Sequence, residues 1–557
     1  MSRRSLFTLG AMADVRARAA LIGCAAVALL TGPAPAQSLL FRIDGKAQAD
    51  RLAESVACVG DFNHDGYGDF AVGAKFDDTG GDNAGLARVL SGRDGSVLFS
   101  ATGSNAGDWF GLSVAGAGDV NADGYADLIV GAPGYDAAGT NSGRAYVYSG
   151  KTGGTLYRFE AGGSFDHFGQ SVAGAGDVNA DGHDDVVVGA PQEGNGTVHV
   201  YSGKNGAVLW TFSGGTAGDA LGHSVAGAGD VNGDGFADII AGAPWGDTSI
   251  VDAGYARVYS GRTGAMLHDF RGGAGDALGW SVDGAGDFNG DGFADVIFGL
   301  PTDDPNGTDS GSVQVRSGFD GALLMLAYGL AAGDELGSAV SGAGDVLGTG
   351  KQTVMIGAPG EAGGTVRLYD RNGLVYKLAG ATEYGAAVDG GADFNKDGLA
   401  DFIIGDPGRN LAGPDTGRGY AYIGIVAWAN RDTYGSGWPG TQGVPDLTAS
   451  ADPLLCSTIS LDVENSRGAT TAGVLLMGLA ATSVPTAIGG TLLVVPYTIV
   501  PVVIPKLGLS LPLAVDCDSA LAGLAIYLQV LESDPGASQG VSFTPGLQLI
   551  LGGISPY

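Results

Sequence analysis

Along residues 39–424, short apolar runs alternate with clusters of Gly, Asn and Asp, and the runs return in one fixed order. A run of small residues such as "SVAGAG" (113–118) leads into an acidic segment. Then come "DLIVGAP" (127–133), a variable stretch, "GRAYVYSG" (143–150), a glycine turn and "TLYRFEAG" (155–162). The runs are rich in β-branched and aromatic residues and are bounded by turn formers, the pattern of strands. No helical period is sustained, so each unit predicts four short strands.

The acidic segment of the unit begins at Asp61, Asp119, Asp177, Asp230, Asp287, Asp345 and Asp393, at intervals of 58, 58, 53, 57, 58 and 48 residues. Seven four-stranded units in tandem predict an all-β fold, a seven-bladed β-propeller over residues 37–427. Its inner strands are built of small residues so that they can converge on the axis. The last unit stops after its third strand, "GRGYAYIG" (417–424), and the strand it lacks is found at the other end as "LLFRIDG" (39–45). The N-terminal strand is therefore expected to complete blade 7 and to remove an exposed edge there.

Beyond the repeats, residues 428–445 are rich in Gly and Pro and read as a linker, and 446–557 read as a small C-terminal β-sandwich-like domain. Its uncharged run from Gly468 to Pro505 is long enough to cross a membrane. Pro485, Pro496, Pro501, Pro505 and the Gly489-Gly490 pair cut that run into strand-length pieces instead.

Composition narrows the partners. Among 557 residues, 28 Lys and Arg face 60 Asp and Glu, for a net charge of −32, so nucleic acid and anionic membrane surfaces are repelled and cations are attracted. Residues 1–36, with arginines ahead of an apolar run from Ala19 to Leu30 and Ala34-Pro35-Ala36 before Gln37, read as a signal peptide. Export predicts a secreted or cell-surface protein in an oxidising compartment, where Cys456 and Cys517 are expected to form a disulfide if their strands are neighbours. Cys58 stands where the next unit has Gly116 and reads as a small buried residue.

The acidic segments carry the chemistry. In six of them oxygen side chains fall at positions 1, 3, 5 and 9, with Gly at position 6 for a sharp turn and a backbone carbonyl available at position 7. The ligand sets are Asp61, Asn63, Asp65, Tyr67 and Asp69; Asp119, Asn121, Asp123, Tyr125 and Asp127; and Asp177, Asn179, Asp181, His183 and Asp185. The other three are Asp230, Asn232, Asp234, Phe236 and Asp238; Asp287, Asn289, Asp291, Phe293 and Asp295; and Asp393, Asn395, Asp397, Leu399 and Asp401. Tyr67, Tyr125, His183, Phe236, Phe293 and Leu399 would act through their carbonyls. Hard oxygen ligands so spaced describe Ca2+ sites, about six in all, since three adjacent carboxylates repel one another without a divalent ion. An EF-hand would need a Glu at position 12 and flanking helices, whereas Val72 and Val130 stand there inside strands. Plain Asx turns would not repeat a carboxylate at position 9. The loop from Asp345 has Leu347, Thr349 and Thr353 at ligand positions and is expected to hold no ion.

These motifs resemble a known family. Phe110-Gly111 and Phe168-Gly169 before the inner strand, softened to Leu221-Gly222, Leu278-Gly279, Leu336-Gly337 and Tyr384-Gly385, together with "GAP" at 131–133, 189–191, 242–244 and 357–359, are similar to the FG-GAP repeat of integrin alpha chains. The resemblance covers about residues 39–425. It implies a seven-bladed propeller with calcium in its hairpin loops; bacterial members are secreted proteins of many kinds. The first unit departs with Leu52-Ala53 and Gly73-Ala74-Lys75, and no inserted adhesion domain or D-x-S-x-S motif is present, so pairing with an integrin beta chain is not implied.

No catalytic motif stands out around the six histidines. The leading expectation is a non-catalytic, calcium-binding binding or adhesion module for an extracellular protein or glycan. Its long loops at 134–143, 245–254 and 302–311 would form the recognition surface, and Trp109, Tyr135 and Trp245 are candidate ligand-binding anchors. A calcium-dependent polysaccharide lyase or hydrolase and a purely structural surface protein are the alternatives.

Overall fold

The computed structural model describes residues 39–247, 252–411 and 413–424, and a series of shorter segments within 430–550. Residues 38–426 form one unit, and 427–557 belong to another.

The first unit is a propeller of seven four-stranded antiparallel sheets. In blade 2 the strands, from the axis outward, are Val114–Gly118, Asp127–Ala132, Arg144–Tyr148 and Thr155–Glu160. Inner strands of the other blades begin at Ser55, Ser171, Ser224, Val282, Ala339 and Ala387, and consecutive inner strands touch in a closed ring. The second strand of each blade is buried along its whole length, because both its faces meet a neighbouring blade. Apolar clusters accordingly cross blade boundaries: Ile129 and Val147 of blade 2 pack with Val172, Val186 and Val188 of blade 3.

The FG and GAP glycines have a steric cause. The N–H of Gly111 donates to the carbonyl of Gly131 in its own blade (2.9 Å), while the Gly111 carbonyl presses on Gly73 of the preceding blade, 2.0 Å from where a Cβ would stand. The same wedge recurs around the ring. In blade 1, Ala53 takes the glycine's place in the left-handed region at φ 66°, still donating to Gly73 and pressing on Gly405. Serines at the head of the inner strands add a second stitch: the N–H groups of Val114, Val172, Val225 and Val282 donate to Ser55, Ser113, Ser171 and Ser224 of the blade before.

The ring closes through Leu39–Asp44, which pairs antiparallel with Arg418–Tyr422 as the outer strand of blade 7. Arg418 Nη2 donates to Asp44 Oδ2 at 3.0 Å across that seam.

In the C-terminal unit a six-stranded sheet and the three-stranded sheet of Leu447–Ala449, Thr458–Val463 and Leu509–Ala514 share one apolar core. Leu461 and Val463 of the smaller sheet meet Leu475, Ile504, Leu528 and Val530 of the larger. The uncharged run contains the strands Thr471–Gly478, Ala481–Pro485, Thr491–Val494 and Thr498–Ile504. One expectation is corrected here. Residues 428–445 are not linker throughout, since Asn430–Tyr434 pairs with Gly546–Ile550 as an edge of the large sheet. Among the described residues no helix is long and apolar enough to cross a membrane. Cys456, Cys517 and the segment 1–36 lie outside the described residues, and Cys58 is a half-buried free thiol.

Candidate functional site: a ring of acidic hairpin loops

Each acidic segment joins the inner strand of a blade to its second strand. Position 1 organises the turn: Asp119 accepts the N–H of Asp123 at 2.9 Å on one oxygen and that of Gly124 at 2.8 Å on the other. Asp61, Asp177, Asp230, Asp287 and Asp393 do the same in their loops. Two residues must then turn left-handed, the Gly at position 6 and the residue at position 4, which is His64 (φ 60°), Ala122 (φ 56°), Ala180 (φ 55°), Lys396 (φ 63°) or a glycine.

Position 9 is fully buried in all six loops and does more than close a ring of ligands. Asp127 accepts the N–H of Val120 on one oxygen and that of Gly150 on the other, both at 3.0 Å, stapling the hairpin to the turn after the third strand. Asp69, Asp185, Asp238 and Asp401 make the equivalent pair of bonds, and Asp295 accepts from Gly318 and from Asn289, one position later in its loop. Thr353 takes this position in the loop from Asp345, and its hydroxyl donates to the Gly344 carbonyl instead.

The loops also hold one another. The N–H at position 8 donates to the carbonyl at position 1 of the preceding loop: Gly68 to Asp393, Ala126 to Asp61, Asp184 to Asp119, Ala237 to Asp177, Ala294 to Asp230 and Ala400 to Asp345, at 2.7–3.3 Å. Side chains follow the same direction. The His64 ring lies 5.0 Å from that of Tyr125, Lys396 stands 5.4 Å over Tyr67, and His183 Nδ1 lies 2.9 Å from the Val120 carbonyl. The acidic loops are thus interlocked around the ring from the Asp345 loop through those of Asp393 and Asp61 to that of Asp287, a relation hidden from sequence because each partner lies a repeat or more away.

The donor set fits a hard divalent ion in its chemistry. Burial pushes Asp69, Asp185 and Asp401 up to about 7 and Asp127, Asp238 and Asp295 up to about 6, against the pull of their backbone donors, and the other carboxylates of each loop add to the rise. Asn179 Oδ1, at position 3 of its loop, is buried with no hydrogen-bond partner, an oxygen left without a positive neighbour. Against this, among the described residues no three His, Cys, Asp or Glu side chains stand grouped as a metal cage. The carboxylates are held by backbone N–H groups, and the remaining oxygens of the expected sets belong to Asn side chains and carbonyls.

The three aromatic candidates are not brought together. Trp109 meets His167 edge-on at 6.2 Å, and Tyr135 lies under the Arg144 guanidinium at 3.6 Å; both contacts are those of packing between neighbouring segments. Trp245 is 41% exposed and joins His223 and Trp280 in a cluster.

With this geometry, the comparisons with known proteins agree. The FG-GAP repeat model matches residues 55–90, 110–148, 168–201, 221–259 and 278–315, and the ring is an FG-GAP β-propeller. Integrin alpha-4 of Xenopus laevis is 34% identical over 170 residues, 28% of this chain and 16% of its own length. Integrin alpha-V of Gallus gallus is 32% identical over 221 residues, 36% of this chain and 21% of its own. The chain thus matches only about a fifth, or less, of these relatives. A solved structure titled "Structure of Dos1 propeller" aligns over 70% of this chain and 95% of its own, at 10% identity and a TM-score of 0.42. Blades 6 and 7 lie beyond the matched repeats, where the chain has its degenerate Asp345 loop and Tyr384-Gly385 in place of Phe-Gly.

Proposed function

We propose that the protein is a secreted or cell-surface, non-catalytic binding module whose propeller is stiffened by calcium and whose opposite face recognises an extracellular protein or glycan. The observation that carries the reading is the row of acidic loops: six with the same oxygen donors, linked position 8 to position 1, each with a buried carboxylate at position 9. Side chains at positions 1, 3, 5 and 9 and the carbonyl at position 7 would hold the ion, which when bound supplies the positive charge that clustered carboxylates need. The chain's own residues set the turn, exclude water from position 9 and tie each loop to the next. Because the second-to-third and fourth-to-first connections emerge at the other end of each blade, they can vary without disturbing this frame. Similarity to integrin alpha chains supports the binding role.

The test is an array of extracellular glycans and matrix proteins probed with calcium and with chelator, alongside product detection on polysaccharides. Calcium-dependent capture without turnover is the expected result. Product release would overturn the non-catalytic reading, and silence on every surface would overturn the binding role.

A further inference from the structure

The inner strands enclose a cavity of about 690 Å³ that opens on the face away from the acidic loops and takes lining from all seven blades. A symmetric ring of repeats would line it uniformly, yet two tiers break the symmetry. The outer tier is the residue after the FG glycine: Leu112 in blade 2, but Gln170, His223 and Trp280 in blades 3, 4 and 5. The deeper tier is the residue that follows the valine at the head of each inner strand. It is alanine in blades 1 to 4 (Ala57, Ala115, Ala173, Ala226) and Asp283 and Asp389 in blades 5 and 7, with Ser341 at the same position in blade 6 buried behind the lining.

The deep tier is one hydrogen-bonded wall. Ser341 Oγ donates to Asp389 Oδ1 at 2.8 Å, the N–H of Cys58 donates to Asp389 Oδ2 at 2.7 Å, and the N–H of Gly342 donates to Asp283 Oδ2 at 3.0 Å. All these donors are neutral. Among the described residues neither carboxylate has an ion-pair partner, and the two cations at the cavity are committed elsewhere: Arg51 to Glu54 and Glu383, Lys75 to Glu54. Two half-buried carboxylates on one wall with no countercharge favour a cation. At the rim, the Trp280 ring lies 5.0 Å from His223 and 6.0 Å from Trp245, and Gln170 Nε2 stands 3.3 Å from His223 Nδ1. This gives an apolar aromatic face beside amide and hydroxyl groups. Burial holds His223 down to about 4, so it adds no positive charge beside Trp280 at neutral pH.

We propose that this cavity binds an amine-bearing saccharide end, its ring stacked on the Trp280 face and its ammonium directed to Asp283 and Asp389. The proposal rests on the binding-module reading and names its ligand class and site. Trp280 and Asp283 belong to the same blade, one on the turn that enters the inner strand and the other within that strand, so one short oligosaccharide can address both. Aromatic face, hydrogen-bonding rim and acidic floor in a cavity of this size are the lining such a ligand requires.

The experiment titrates the full chain, with calcium present, with a glucosamine trimer and its fully N-acetylated counterpart, read by calorimetry and tryptophan fluorescence. The amine trimer is expected to bind with a fluorescence change, and the N-acetylated one at least tenfold more weakly. Asp283→Ala and Asp389→Ala give up the bonds from Gly342 and Cys58, so they are expected to lower the thermal melt while still folding, and to weaken the amine trimer tenfold or more; Asp283→Asn, which keeps an oxygen acceptor for Gly342, is expected to hold the melt and still lose the amine preference. Equal affinity for the two trimers, no affinity for either, or full affinity in the aspartate variants would overturn the assignment. An array ligand whose binding the aspartate variants leave intact would sink this inference while the binding-module reading stands.

Discussion

Gly131 in the second strand of blade 2 faces Gly169 at the entry to blade 3 so closely that a Cβ on Gly131 would stand 1.9 Å from the Gly169 carbonyl oxygen. The obstacle is backbone, which cannot rotate aside. Gly131→Ala is therefore expected to destabilise the propeller by about 3 kcal/mol, read as a lower denaturant midpoint, in calcium and chelator alike. An unchanged midpoint would show that the blades are not wedged by these glycines.

The ninth and third loop positions are expected to separate. In Asp127→Asn an amide N–H₂ would face a backbone N–H donor, leaving a buried donor unpaired at a cost of about 1–3 kcal/mol. Its melt should fall with and without calcium. Asn121→Ala removes a side chain that makes none of these staples, so its loss should appear only in calcium. If both variants lose stability only in calcium, the staple has no structural weight.

Calcium itself is expected to raise the melting temperature of the full chain, by about 2.7 kcal/mol for each site when free ion is 100-fold above its Kd. Titration should saturate near six ions, since Thr353 offers no carboxylate at position 9 of the Asp345 loop. A melt indifferent to chelator would remove the metal reading.

The buried aspartates give the ion-free protein an unusual pH profile. Their folded-state values are raised to about 6 or 7, above the unfolded range, so between roughly pH 4 and 7 the folded chain holds more protons than the unfolded one. Their contribution therefore favours folding at the acidic end of that window and fades as pH rises through 6 and 7. In chelator the melting temperature should be higher at pH 5 than at pH 8. In calcium that difference should shrink or reverse, because protons then compete with the ion. Equal slopes in the two conditions would contradict the assignment.

Much of the fold was legible because the repeat is local. Four runs per unit, an acidic register kept six times and a missing strand recovered at Leu39–Asp44 are all visible without coordinates. What escaped depends on distant partners. Position 9 reads as a ligand, but its bonds to Val120 and Gly150 appear only when the third strand folds back beside the loop. Asn430–Tyr434 is polar, lacks alternation and pairs with Gly546–Ile550 at the far end of the chain, so it passes for linker. Trp109 and Tyr135 meet His167 and Arg144, contacts that their sequence neighbours do not announce. The deep channel tier was hidden by its own subtlety: one alanine changed to aspartate, twice.

The seam at blade 7 has a temporal side. Arg418–Tyr422 and Leu39–Asp44 are the two ends of the array, and the pairing between Arg418 and Asp44 bridges 374 positions. During synthesis, the first strand therefore waits, hydrogen-bonding edge unsatisfied, until the final repeat has emerged. Until then the blades can stack only as an open arc, and closing it is the step that turns a chain of local hairpins into one cooperative object.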